Sequence, residues 1–238
     1  MTEQPNAPLS PMPGAPTPMY QVWLNALTKP NEQTFAEMAA SPNAKLTTAL
    51  LWVFIGSLVN SFFASLVQGP LMRQMMQQYG ADGQFQYGTG NRVIAVVCGA
   101  PIAAVIGVVI FAVVVGIVQF LARAFGGRGT FDQMAYASAA IWTPFTLISS
   151  VLTLLSAIPV VGLCFGLISL VGLLYVLFLA VTAVKGVNQV GWGQAAGSCL
   201  LPIVGLCCCL SVGTFAIIRV LGPAINDTFN SINQSLTP

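Results

Sequence analysis

The longest uncharged stretch of the chain lies between Asp132 and Lys185, where apolar side chains predominate and no charged residue occurs. About 20 apolar residues cross a hydrocarbon core at 1.5 Å rise per residue, so this stretch is long enough for two membrane spans. Because lipid offers no hydrogen-bond partner to the peptide group, each span must be helical. The pattern predicts spans over residues 136–158 and 163–184, with a tight turn at residues 158–162.

Three further apolar stretches bring the predicted spans to five: residues 46–67, a segment within residues 92–123, and residues 195–221. Glycine followed by proline commonly breaks a helix. We therefore expect Gly69-Pro70 to end the first span and to separate it from a surface helix over residues 71–79. The predicted fold is an all-α, polytopic membrane helical bundle with five transmembrane spans and short interfacial amphipathic helices.

The segment over residues 20–40 mixes polar and apolar residues at helical spacing, with Met38 and Ala39 three and four positions after Phe35. This period is typical of short amphipathic helices that lie on the membrane surface. The alternative is a segment that packs beneath the bundle. Aromatic residues at the headgroup level often anchor such segments, and three are predicted to act as interfacial anchors: Trp23, Phe35 and Trp192.

Composition along the chain predicts three regions. Residues 1–19 form a disordered, proline-rich tail, because prolines among small polar residues cannot bury enough apolar surface to fold. Residues 20–222 form the five-span membrane domain. Residues 223–238 form an amphipathic tail, in which apolar residues recur at helical spacing.

Small residues recur every three to four positions in several predicted spans. Such stripes let two helices approach backbone to backbone, although chance is the alternative in segments so rich in Ala and Gly. The residues predicted to serve helix packing are Gly99, Ala103, Gly107, Gly162, Gly166, Gly205 and Gly213.

The loop over residues 123–132 joins the second and third spans and is rich in glycine. Gly126 and Gly127 can end the second span in left-handed geometry, and Thr130 with Gln133 has the spacing of a capping box for the third. The alternative is a candidate loop for a lipid headgroup or a partner, because glycine-rich turns with basic residues bind phosphate. The residues of that candidate site are Arg123, Gly126, Gly127 and Arg128.

Four hydroxyl side chains fall on one face of the third span, at Thr143, Thr146, Ser150 and Thr153. In lipid such hydroxyls bond back to their own helix or across to a neighbour. A wet, substrate-lining face is the alternative.

Only 6% of the residues are charged and the mean hydropathy is +0.82, against about 25% charged in soluble domains. The chain is therefore expected to be an integral membrane protein whose main partner is the lipid bilayer, joined by other membrane proteins or further copies of itself. No His is present, which removes the commonest general base and metal ligand. We accordingly expect no enzyme activity, no cofactor, no metal site and, with a net charge of only +2, no nucleic-acid partner.

Basic residues are distributed unequally between the two predicted sides of the membrane. Five lie on the side of the N-terminal segment, namely Lys29, Lys45, Arg123, Arg128 and Lys185, and three on the other, namely Arg73, Arg92 and Arg219. The positive-inside rule then predicts a cytoplasmic N-terminus.

Two local signatures resemble the Yip (Ypt-interacting protein) domain family, especially its prokaryotic members. They are Trp23-Leu-Asn-Ala-Leu-Thr-Lys-Pro30, followed by Phe35, and Ala122-Arg-Ala-Phe-Gly-Gly-Arg-Gly-Thr-Phe131. The resemblance covers residues 20–222 and implies a five-span bundle with a cytoplasmic N-terminus, in a prokaryotic cell membrane. In eukaryotic relatives it implies membrane trafficking and binding of Rab-type GTPases. This chain lacks the family's Asp-Leu-Tyr-Gly-Pro motif, so no residue for GTPase recognition carries over.

These observations favour a non-enzymatic membrane scaffold that organises lipid or binds partner proteins. The alternative is a transporter or channel for a neutral small solute. Ion-coupled carriers generally keep ionisable residues in mid-membrane, and the predicted spans carry none there.

Overall fold

The computed structural model describes residues 18–78, 89–155 and 159–205, together with residues 208, 211 and 219. Every regular element within those residues is a helix, which confirms the all-α prediction. The helices are α1 (Met19–Thr28), α2 (Glu32–Ala40), α3 (Leu46–Gln78), α4 (Thr89–Ala124), α5 (Phe131–Leu155) and α6 (Pro159–Asn188).

Four of these helices contain a stretch long and apolar enough to cross a membrane: Leu46–Ser65, Val97–Ala124, Phe131–Leu154 and Gly166–Asn188. They correspond to the first four predicted spans, so the chain is a multi-pass membrane protein. The predicted fifth span, residues 195–221, is described only over residues 195–205 and at residues 208, 211 and 219, where the backbone is helical.

The chain divides into two compact units, Met1–Ser198 and Cys199–Pro238. The first unit holds α1 to α6 and a helical stretch over residues 192–198. In the second unit the backbone is helical over residues 199–205. The predicted C-terminal tail and all but the last two residues of the predicted N-terminal tail lie outside the described residues.

The helix that carries the first span does not end at Gly69-Pro70, where the sequence pattern placed its terminus. Helix α3 continues through this pair to Gln78 and includes the predicted separate surface helix. The steric conflict that proline imposes on its predecessor involves that residue's N–H and its Cβ. Glycine has no Cβ, so Gly69 can stay helical before Pro70, and the prediction of a helix end was wrong.

Helices α3 and α5 meet along a close seam in the middle of the bundle. A Cβ built on Gly56 would lie 3.1 Å from Thr143 Cγ2, so only hydrogen at this position allows the observed separation without adjustment. Further along the seam, the single Ser150 O–H is shared between Asn60 Oδ1 at 3.1 Å and the Thr146 carbonyl oxygen of its own helix. Small residues and one interhelical hydrogen bond therefore join these helices, as expected where lipid leaves no hydrophobic driving force between spans.

Three of the four hydroxyls in the α5 stripe form hydrogen bonds inside the protein. Thr146, Ser150 and Thr153 donate to the carbonyl oxygens of Trp142, Thr146 and Ser149 at 2.7, 2.7 and 2.9 Å. Thr143 is fully buried, and its Oγ1 has no hydrogen-bond partner. Three of the four hydroxyls thus follow the predicted back-bonding pattern.

The residues predicted to serve helix packing differ in their surroundings. Within α4, Gly107 faces α3, and a Cβ on it would lie 2.9 Å from Ser57 Oγ. Gly99 and Ala103 are exposed instead, and the buried small residues of this helix are Ala100 and Ala104, one position further on.

The other predicted packing glycines lie outside such contacts or outside the described side chains. A Cβ on Gly99, Gly166 or Gly205 would meet nothing within 4 Å. Gly162 lies in α6 at a position whose side-chain surroundings are outside the described residues, and Gly213 is outside them altogether. Among these predicted residues, close approach is therefore seen at Gly107 alone in the part of the chain that the structure describes.

Large apolar side chains cover the outer faces of α4 and α6. On α4, Ile102, Val109 and Phe120 are 62%, 56% and 72% exposed, and α6 exposes Leu167 and Val171 similarly. Contiguous exposed apolar surface of this size is abnormal for a soluble protein. It is the surface expected for helices whose solvent is lipid.

Candidate functional site: the N-terminal pair and the loop ends it contacts

Helices α1 and α2, here called the N-terminal pair, pack against α5 and α6. Helix α2 begins at Glu32 because Asn31 caps it: the Asn31 Oδ1 accepts from the Thr34 N–H at 2.7 Å. Its apolar face buries Phe35, Met38 and Ala39. The amphipathic pattern read from the sequence is therefore real, and its apolar face is directed into the protein.

The contact between α2 and α6 is centred on Gly186. A Cβ built on this residue would overlap the backbone carbonyl oxygen of Glu32 and lie 3.1 Å from Phe35 Cβ. Helix α6 can approach the backbone of α2 this closely only because position 186 has no side chain. The glycine thus fixes where the N-terminal pair lies.

A charged contact lies beside Gly186. Lys185 Nζ forms an ion pair with the Glu32 carboxylate, the lysine side chain being 19% exposed and the glutamate 55%. The same Nζ lies 4.6 Å from the centroid of the Trp192 ring, which stacks on Phe178 at 6.4 Å. Partly exposed ion pairs contribute about 0 to 1 kcal/mol to stability. Packing therefore maintains the contact between α2 and α6, and the ion pair helps to orient the two helices.

Helix α1, the other member of the N-terminal pair, is held by aromatic rings. Trp23 of α1 meets Trp52 of α3 edge to face at 5.7 Å, and Trp52 packs on Tyr136 of α5 at 5.0 Å. Tyr175 Oη donates to the Leu27 carbonyl oxygen at 2.5 Å. Helix α1 is therefore tied to three of the spans.

The predicted interfacial anchors occupy three different environments. Phe35 is 0% exposed, so it is a core residue of the α2–α6 contact and not a lipid-facing anchor. The sequence pattern gave the correct helix face but could not show that a glycine distant in sequence covers it. Trp23 packs on Trp52 with a buried Nε1, whereas Trp192 is 50% exposed at the rim of the bundle.

A groove of about 400 Å³ lies between α2 and the end of α6. Glu32, Gln33 and Ala36 line one wall. Lys185, Gly186 and Gln189 line the other. The groove thus carries one carboxylate, one ammonium group and two amides.

The loop between α4 and α5 has the conformation that its sequence predicts. Gly126 has a φ of +91°, the left-handed geometry that ends α4. The Thr130 N–H donates to Gln133 Oε1 at 2.9 Å and the Gln133 N–H to Thr130 Oγ1 at 3.3 Å, which completes the capping box of α5.

The next glycines of this loop lie directly against the end of α6. A Cβ on Gly127 would be 2.9 Å from Asn188 Cβ, and one on Gly129 would be 2.9 Å from Val187 Cγ1. The Arg128 N–H donates to the Asn188 carbonyl oxygen at 3.1 Å. The glycines are therefore needed for close approach between the loop and α6.

A buried amide pair joins α4 to α6 at this point. Gln119 Nε2 donates to Asn188 Oδ1 at 2.9 Å, and Asn188 Nδ2 donates to Gln119 Oε1 at 3.1 Å. Gln119 Nε2 also donates to the Gly129 carbonyl oxygen at 2.7 Å. The two residues are 3% and 0% exposed, so their polar atoms are satisfied by each other and by the loop.

The residues of the candidate headgroup or partner loop lie at this end of the bundle. Arg123 is exposed, and its Nε and Nη2 donate to the Gly129 carbonyl oxygen at 3.2 Å each. Arg128 is exposed on the same loop. Gly126 and Gly127 have the structural roles given above, and binding of a headgroup or partner by this loop stays a prediction.

Two side-chain contacts at this end of the bundle were not predicted from the sequence: the Gln119–Asn188 amide pair and the Glu32–Lys185 ion pair. Gln119 and Asn188 stand 69 residues apart in different helices, and Glu32 and Lys185 are still further apart. The available signal was Gln119 itself, a strongly polar residue inside an apolar span that needs a partner in lipid. Nothing local identified which residue that partner would be.

The described residues do not contain three His, Cys, Asp or Glu side chains placed to hold a metal ion. The polar groups at this end are amides, one ion pair and basic side chains. Groups of this kind can form hydrogen bonds and ion pairs with a ligand or a partner protein, so this end of the bundle can serve as a binding surface.

Comparisons with known proteins agree with this architecture. Neither the curated proteins nor the solved structures compared with the chain gave a match. A family model described as the Yip1 domain matches residues 24–213, well over half of the 238 residues. That range runs from α1 through the four spans, and it confirms the resemblance seen in the two sequence signatures. This multi-pass membrane protein therefore belongs to the Yip1 domain family.

Proposed function

We propose that the protein is a non-enzymatic membrane scaffold that binds a partner protein through the exposed face of its N-terminal pair. The observation that carries this proposal is the docking of α2 on α6. Its apolar face is fully used by Phe35, Met38 and Ala39, while Glu37 is exposed on the other side. A helix held rigidly by packing presents its polar face at little conformational cost, which favours association.

The interior of the described bundle supports a scaffold over a carrier. The α3–α5 seam is filled by direct contact at Gly56 and Thr143, and Asn60 is bonded to Ser150. The α4–α6 contact is closed by the Gln119–Asn188 pair. Direct helix contacts of this kind leave the outer surface as the part of the molecule available for recognition.

Site-specific crosslinking in native membranes tests the scaffold. A photoreactive amino acid at position 37, on the exposed face of α2, should give discrete crosslinks to a protein that mass spectrometry identifies reproducibly. The matched control is position 109 on the lipid-facing side of α4, where Val109 is 56% exposed, and it should react with lipid. Equal patterns from the two positions, or no reproducible protein from position 37, would contradict the proposal.

The alternative function, transport of a neutral solute, has one observation in its favour. Thr143 Oγ1 is buried among the spans without a hydrogen-bond partner, and a bound water or solute is one explanation for an unpaired buried polar atom. Proteoliposomes distinguish the two functions: a carrier speeds solute entry, whereas a scaffold leaves it equal to that of empty vesicles.

The proposed orientation places the N-terminal pair in the cytoplasm, in the cell membrane of a prokaryote. Its support is that Arg123, Arg128 and Lys185 gather at the end of the bundle where α2 docks, as the positive-inside rule requires. A cysteine placed at position 37 of the protein should then resist a membrane-impermeant thiol reagent in intact cells and react after the membrane is opened. Labelling of position 37 in intact cells would show that the N-terminal pair lies on the outer side of the membrane.

A further inference from the structure

The groove between α2 and α6 lies at the level where the fourth span ends. The apolar stretch of α6 ends at Asn188, and the groove is lined by Lys185, Gly186 and Gln189 on that side. Side chains at such a level face lipid headgroups, because the hydrocarbon core ends where the apolar stretch ends. A ligand that reaches this groove from the membrane is therefore a headgroup.

The rim of the groove is continuous with a lipid-facing surface. Phe178, 46% exposed, stacks on Trp192, 50% exposed, and the Trp192 ring lies beneath the Lys185 ammonium. Tryptophan is enriched at the boundary between hydrocarbon and headgroups. A phospholipid with its acyl chains along Phe178 and Trp192 would therefore present its headgroup to Lys185 and Glu32.

The charges in the groove balance, which selects the chemistry of the headgroup. Lys185 offers an ammonium group to a phosphate, and Glu32 offers a carboxylate that is 55% exposed. A headgroup with a phosphate alone would meet the Glu32 carboxylate unfavourably. A zwitterionic headgroup satisfies both residues, because its phosphate can pair with Lys185 and its cation with Glu32 in place of the Glu32–Lys185 ion pair.

We infer that this groove is a binding site for phosphatidylethanolamine, a zwitterionic phospholipid with a primary ammonium group. The three N–H donors of that ammonium can form charge-assisted hydrogen bonds with the Glu32 carboxylate. The quaternary ammonium of phosphatidylcholine has no N–H donor. The amides of Gln33 and Gln189 line the same groove and supply neutral hydrogen-bonding groups around the charges.

Lipid retention by the purified full chain tests the site without any protein partner, so its failure is distinct from failure of the scaffold proposal. Native mass spectrometry after titration with phosphatidylethanolamine, phosphatidylcholine or phosphatidylglycerol measures the preference. We expect the first lipid to be retained about fivefold more than the other two, the scale of one partly exposed charge-assisted hydrogen bond. The Glu32→Gln variant should lose this preference, and Glu37→Gln, on the same helix outside the groove, should keep it.

A second variant separates the lipid site from the stability of the N-terminal pair. Ala36 lines the groove and is only partly buried, so Ala36→Leu should fill the groove while leaving the Glu32–Lys185 pair in place. It should abolish the preference for phosphatidylethanolamine, as Glu32→Gln does. Equal retention of the three lipids by the wild type, or unchanged preference in Ala36→Leu, would overturn the inference.

Discussion

The Gly186→Ala substitution should displace α2 from α6 and lower the free energy of unfolding by about 2 to 3 kcal/mol. The added Cβ would overlap the Glu32 carbonyl oxygen and press against Phe35. Backbone atoms of a packed helix cannot swing aside as the end of a flexible side chain can. Relief therefore requires movement of the whole of α2, with partial exposure of its buried apolar face.

Two measurements check this result. Thermal unfolding in detergent, followed by circular dichroism, should give a lower midpoint, and limited proteolysis should cut between α1 and α2 more rapidly. The matched control is Gly166→Ala in the same helix, because a Cβ at position 166 meets nothing within 4 Å. That variant should be neutral or gain up to about 1 kcal/mol from helix propensity. Identical midpoints for the two variants would show that α2 does not pack on Gly186.

The Gln119→Leu substitution should lower the free energy of unfolding by about 2 to 4 kcal/mol. It keeps the side-chain volume roughly constant but removes the Gln119 partner of both polar atoms of the Asn188 amide, and Asn188 Nδ2 keeps only a contact with Met134 Sδ at 4.0 Å. Asn188 is 0% exposed and cannot turn to water. A buried amide left with one weak sulfur acceptor bears most of its desolvation cost.

A double-mutant cycle separates the hydrogen bonds from other effects of the substitution. If the amides interact directly, the combined Gln119→Leu and Asn188→Ala variant should lose about 1 to 2 kcal/mol less than the sum of the single variants. Gln21→Leu, an exposed position on α1, is the control and should stay within about 0.5 kcal/mol of wild type. Additive losses in the cycle would mean that the two amides act independently.

The features predictable from the sequence are those set by local rules. Long apolar stretches indicated four spans that the structure describes, because the bilayer requires a fixed length of apolar helix. The left-handed Gly126 and the Thr130–Gln133 capping box follow from residues within one turn of each other. The amphipathic period of α2 follows from spacings of three and four. Each of these depends on neighbours in the sequence.

The features that the sequence did not predict depend on distant partners or on single atoms. Phe35 looked like a surface anchor because Gly186, which covers it, lies in another helix. The small-residue stripe of α4 included Gly99 and Ala103, yet the buried positions are Ala100 and Ala104, since helix rotation is set by the neighbours it packs on. Helix α3 passes Gly69-Pro70 because glycine has no Cβ for the proline ring to meet.

The docking of α1 and α2 on the last described span also constrains biogenesis. Leu27 and its partner Tyr175 are 148 positions apart, so the ribosome must make nearly the whole four-span core before the first two helices find their places. At about 5 to 20 residues per second, the interval is roughly 7 to 30 s. During that time the apolar face of α2 is without its final partner, and nascent chains halted before α6 should show it open to insertases, chaperones or proteases.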